Sequence, residues 1–193
     1  MTEIQKVSVK ILSDAPQTLD LTPFLSIFGR WRADANHAAQ WVDLADYAHM
    51  ARGAGIVLIG HVCNFSFDMG TAAPGVLYFR KKGLEGSNQQ RLWAVFRDAL
   101  AISRCLLREP EFPPGVHLQT GRLELAFNDR LETPNTEDTD CELRPAVSAV
   151  LDELFGRGAY ELERQRDPAK LYGFSVRAAN LPAWDEWIAR LGL

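Results

Sequence analysis

Residues 87–109 carry the pattern that most constrains how this chain can fold. Ser87 with Gln90 three residues later is a capping-box signature, and Leu92, Val95, Phe96, Ala99, Ile102 and Leu106 then trace one apolar helical face. Glu109-Pro110 ends it. A helix that is apolar on one side needs an apolar surface to lie on, and the strands of this chain are one-sided as well. Val7, Val9 and Ile11 alternate with Ser8 and Lys10, while Leu123, Leu125 and Phe127 alternate with Glu124, Ala126 and Asn128. One-sided helices on one-sided strands predict an α+β fold, a mainly antiparallel sheet with helices packed on one face, and the leading architecture is a ferredoxin-like core with additions.

The other elements follow from the same periodicities. Thr22-Pro23 opens a helix whose face is Phe24, Ile27, Phe28 and Trp31, and residues 41–50 read as a strand. Across residues 56–67, Val57, Ile59, His61, Cys63, Phe65 and Phe67 have one parity, so an unbroken strand places His61 inside an apolar stripe. Residues 76–82 form a strand that pairs back after the turn-rich segment 70–75. Residues 132–142 are expected as an acidic loop, followed by a helix with Pro145 in its first turn and a stripe of Leu143, Val147, Val150, Leu151, Leu154 and Phe155. Two strands near 159–165 and 171–178 flank Asp167-Pro168-Ala169-Lys170, and Trp184, Trp187, Ile188 and Leu191 mark a terminal helix. A length of 193 residues suits one domain over 1–193.

Composition narrows the function classes. With 47% hydrophobic and 24% charged residues the chain is neither disordered nor a disulfide scaffold. Cys63, Cys105 and Cys141 are odd in number and lack a C-x-x-C pair, which predicts reduced thiols and no zinc ribbon. Without a secretory leader or an apolar run of about 20 residues, the expectation is a soluble cytoplasmic protein with no membrane partner. The net charge of −4, from 21 basic and 25 acidic residues, makes nucleic acid an unlikely partner. That average hides a basic excess in residues 80–108 and five acids in residues 132–142.

Asp43, Asp46, His49 and His61 are the densest group able to do acid–base chemistry, with Tyr47 and Asn64 nearby as ligand-binding candidates. Asp46, His49 and His61 could be written as a metal set, but their spacing specifies none, so no metal is assigned. The plain reading makes His61 a core histidine held by Asp43 or Asp46. Cys63 lies in an apolar stripe where a thiol is usually inert. Arg80, Lys81 and Lys82, with Arg91, Arg97, Arg104 and Arg108, make a basic ridge that could hold a phosphorylated metabolite, an acidic partner or nucleic acid; the plain reading is a solvated helix face. Gly53-Ala54-Gly55 precedes a strand and lacks the third glycine of a dinucleotide fingerprint. Five tryptophans, Trp31, Trp41, Trp93, Trp184 and Trp187, could line a pocket but read first as core or oligomer contact.

Phe28-Gly29-Arg30-Trp31, Asp43-Leu44-Ala45-Asp46-Tyr47-Ala48-His49 and Gly55-Ile56-Val57-Leu58-Ile59-Gly60-His61 together resemble an uncharacterised bacterial cytoplasmic protein family, over about the first 80 residues. The resemblance implies no reaction, cofactor or catalytic residue. The expected function is therefore binding of a small molecule or a protein partner, with homo-oligomerisation through the aromatic helix faces. The alternatives are a metal-assisted or acid–base hydrolase using Asp43, Asp46, His49 and His61, and nucleic-acid or phosphometabolite binding along the ridge.

Overall fold

The structure is a computed structural model that describes residues 2–34, 40–50, 52–70, 73–179 and 184–190. Its elements in chain order are β1 (Val7–Ser13), α1 (Thr22–Ala33), β2 (Trp41–Tyr47), β3 (Gly55–Gly60), β4 (Cys63–Asp68), β5 (Gly75–Arg80), α2 (Asn88–Leu107), β6 (Leu118–Phe127), α3 (Glu137–Phe155), β7 (Tyr160–Arg164), β8 (Gly173–Ala178) and α4 (Trp184–Arg190). The strands form one eight-stranded sheet in the order β2-β3-β4-β5-β1-β6-β8-β7, and every neighbouring pair is antiparallel. No described helix is long and apolar enough to cross a membrane.

The helices among the described residues all lie on one face. Phe24 of α1 stacks on Phe67 with ring centroids 4.0 Å apart, and Phe28 meets Phe65 at 5.6 Å. Ser87 accepts from Gln90 N–H while the Gln90 side chain accepts from Ser87 N–H, so α2 begins with the predicted capping box. Its stripe of Leu92, Val95, Phe96, Ala99 and Leu106 is buried over β1 and β5. Toward the β8–β7 end of the same face, Arg144 of α3 sits 5.0 Å over the Phe174 ring of β8. Trp187 is sealed in the core, and Trp31, Trp93 and Trp184 pack against it.

Two expectations change. The 56–67 run is a hairpin: Ile59 pairs with Asn64, and the chain reverses through His61 and Val62. A two-residue turn inverts parity, so Cys63, Phe65 and Phe67 face the helices while Val57 and Ile59 face away. His61 is exposed at the tip. The acidic segment is not all loop either. Thr136 caps α3 through Thr139 N–H, and Glu137, Asp138 and Asp140 lie in its first turn, where the partial positive charge of a helix start favours acids. Pro145 consequently lies inside α3, and its ring leaves no N–H to bond the carbonyl one turn earlier.

The helix-free face has its own row structure. Ile59, Asn64, Phe79, Ser8, Ala126 and Gly173 align across six strands, and Val57, Ser66, Leu77, Lys10, Glu124 and Ser175 form the next row. Lys10 is buried there because its ammonium donates to Asp68 at 2.5 Å and to the Gly70 carbonyl at 3.0 Å.

Candidate functional site

A pocket of about 630 Å³ opens on the helix side of the sheet, where α1 and α2 converge on the β2–β5 end. Hairpin geometry sets its floor. Cys63 pairs directly with Arg80, and Tyr78 is the next residue of β5 on the same face, so three side chains of different chemistry point into one space. The walls come from Trp31 at the end of α1, Trp41 at the start of β2, Val62 of the turn, and a second face of α2. That face is Asp98, Ala101, Ile102 and Cys105, three or four residues apart and rotated from the core stripe, and Arg108 and Glu109 continue the wall just past the helix end. Gly60 belongs to the construction, since a Cβ there would stand 2.3 Å from the Gln40 carbonyl and 3.2 Å from the Trp41 ring.

The polar floor is connected. Tyr78 O–H donates to Asp98 Oδ2 at 3.2 Å, and Arg80 Nη1 donates to the same oxygen at 2.9 Å. Arg80 also donates from Nε to the Lys82 carbonyl at 2.8 Å and from Nη2 to the Gly83 carbonyl at 3.1 Å, which fixes its plane. Glu109 receives Trp31 Nε1–H at 2.6 Å and Arg30 Nη2 at 2.6 Å. Burial pushes the Cys63 thiol up, and the neighbouring Tyr78 and Gln40 side chains offset this only in part. Tyr78 rises far above the ordinary phenol, chiefly through burial and then through the neighbouring Cys63. Both groups are therefore protonated near neutral pH.

The acid–base candidates are spread along the hairpin instead of gathered. Asp46 pairs with Ile56 and accepts from Ala48 N–H at 2.8 Å, closing the β2–β3 turn in which His49 is exposed. His61 lies at the opposite end of β3, about 16 Å away at the strand rise. Asp43 is nearer that end, but it accepts from Leu44 N–H at 2.8 Å and faces Arg32 at 3.4 Å. No group of three or more potential metal ligands occurs among the described residues. Tyr47 is exposed on the edge strand, and Asn64 is half-buried on the helix-free face.

The basic ridge is also divided. Arg91 is buried, donating to the Gly86 and Ile4 carbonyls and to Glu3. Arg97 lies 3.6 Å from Asp98, Arg80 belongs to the pocket floor, and Arg104 is half-buried without a side-chain partner among the described residues. A groove of similar size, about 660 Å³, crosses the helix-free face over Ala126, Gly173 and Ser175, with Arg130 and Lys170 on its rim. Among the described residues it has no tryptophan and no buried hydrogen-bonded cluster in its lining, so the helix-side pocket is the stronger candidate.

Sequence reasoning did not single out Tyr78, Asp98 or Cys105 for this site; it offered Trp31 and Trp41 as pocket lining only among five tryptophans read first as core or oligomer contact. The available signal was the second stripe of α2, a mixed line of Asp98, Ile102, Cys105 and Glu109 beside a fully apolar one. No protein-family model, curated protein or solved structure matches the chain.

Proposed function

We propose that this protein binds a small ring-bearing molecule in the helix-side pocket and holds it without chemical turnover. The observation that carries this reading is the union of two tryptophan walls with the Cys63–Tyr78–Asp98–Arg80 floor around about 630 Å³. Ligand sites of roughly 300–1,000 Å³ combine apolar walls with a few fixed polar groups in this manner. Trp31 and Trp41 offer apolar ring surface, and Tyr78 and Cys63 supply neutral hydrogen-bonding groups. Binding is favoured over catalysis because a nucleophile or general base works best with a pKa near the operating pH, whereas the thiol and the phenol are both driven upward.

The neutral aromatic alcohol 2-naphthalenemethanol tests the reading by ligand-observed NMR. At roughly −0.3 kcal/mol per heavy atom its expected Kd is about 2 mM. Ala101→Phe, which places a ring in the pocket, should abolish this binding at unchanged Tm. No binding by the wild-type chain, or undiminished binding by Ala101→Phe, would contradict it.

A further inference from the structure

We infer that the pocket's ligand is an aromatic monocarboxylate whose anionic end is received by Arg108; this rests on the pocket reading above. The inference follows from which charges at the pocket are already committed. Arg80 spends all three guanidinium nitrogens on Asp98, Lys82 and Gly83. Asp98 receives Arg80 and Tyr78, with Arg97 at 3.6 Å. Glu109 is held by Arg30 and by the Trp31 indole, and Arg30 is shared with Glu111 at 2.7 and 2.9 Å. Arg108 alone among the charged lining residues has no side-chain hydrogen bond or ion pair to any described residue, and it is exposed at the mouth.

Arg108 is also the C-cap of α2. The helix end carries about half a negative charge, which offsets the guanidinium only in part. Arg104, one turn earlier and likewise without a partner among the described residues, adds to the positive potential. The mouth is thus locally cationic on a chain of net charge −4. Deeper in, protonated Cys63 and Tyr78 carry no charge, so an ionic group on the ligand gains most at the mouth. One free planar fork matches a carboxylate in two parallel hydrogen bonds. A cationic ligand would meet Arg108 with Glu109 already occupied.

The test compares 2-naphthoate with 2-naphthalenemethanol on the full chain, using wild type, Arg108→Gln and Arg177→Gln, the last a remote exposed arginine that controls for net charge. The expected result is about tenfold tighter binding of the acid than of the alcohol at low salt. Added salt and Arg108→Gln should each remove that advantage, and Arg177→Gln should preserve it. Equal affinities for the two probes, or an acid preference that survives Arg108→Gln or falls equally in Arg177→Gln, would overturn the carboxylate assignment while alcohol binding keeps the pocket standing. Failure of both probes to bind wild type would overturn both.

Discussion

Tyr78 of β5 and Tyr172, just before β8, are wired alike and surrounded differently. Tyr172 donates to Asp140 Oδ1 at 3.1 Å, Asp140 receives Arg144 at 2.9 Å, and Arg164 lies 5.9 Å over the tyrosine ring. Tyr78 donates to Asp98 at 3.2 Å, and Asp98 receives Arg80 at 2.9 Å. In each case a strand or loop phenol meets a helix carboxylate shared with an arginine. The Tyr172 set is closed off by Phe127 and Phe174, with centroids 5.0 and 5.3 Å away, and ties α3 to the sheet. The Tyr78 set has Cys63 beside it and a cavity in front of it. Identical polar chemistry fastens a helix where it is sealed and, in the function proposed above, recognises a ligand where space and aromatic walls adjoin it.

That contrast breaks most visibly at the aspartates. Asp140→Ala strips the carboxylate from a buried tyrosine and an arginine, and should cost about 3 kcal/mol in urea unfolding without changing affinity for 2-naphthalenemethanol. Asp98 is more exposed, so Asp98→Ala should cost only about 1.5 kcal/mol. Its signature is instead a weakening of naphthalenemethanol binding by about tenfold or more as the floor loosens. If Asp140→Ala weakened binding as much as Asp98→Ala, the division between fastening and recognition would fail.

Alkaline pH sharpens the comparison. Burial raises Tyr172 and Tyr78 above the ordinary 10.0 and Cys63 above 9.0. The folded chain keeps these protons while the unfolded chain loses them. Their stabilisation is therefore complete below pH about 9 and is lost as the pH climbs from the ordinary values toward the raised ones. Unfolding free energy measured from about pH 8 to pH 11 should fall, and each phenol contributes up to about 1.4 kcal/mol per pH unit above its ordinary value. Tyr172→Phe should flatten that slope, and an unchanged slope would show that Tyr172 titrates normally. The smallest effect concerns thiol access. Iodoacetamide should modify exposed Cys105 before Cys63, whose alkylation 2-naphthalenemethanol should slow further by shielding the pocket floor.

The layered antiparallel architecture was legible in the sequence because Val7-Val9-Ile11 and the α2 stripe state their periods plainly. The β3–β4 reversal was not. His61-Val62 contains none of the Gly, Asn, Asp or Pro residues that announce a two-residue turn, so alternation runs through it without a visible break. The start of α3 was masked because Glu137, Asp138 and Asp140 resemble a solvated loop until Thr136 is recognised as the cap. For the site, residue type misled: Asp46, His49 and His61 suggest chemistry, but antiparallel pairing sends Asp46 and His61 to opposite ends of β3. Trp31, Trp41, Cys63, Tyr78 and Asp98 meet only because α1 and α2 cross the same hairpins, and no local spacing encodes that meeting.

The indole N–H resonances of the five tryptophans allow the most direct test, because Trp31 and Trp41 line the pocket whereas Trp93, Trp184 and Trp187 do not. Titrating 2-naphthalenemethanol into isotopically labelled protein should shift the Trp31 and Trp41 signals together along one saturable curve and leave the other three in place. Movement confined to Trp93, Trp184 or Trp187, or no movement at probe concentrations above about 10 mM, would contradict the assignment of this pocket as the binding site.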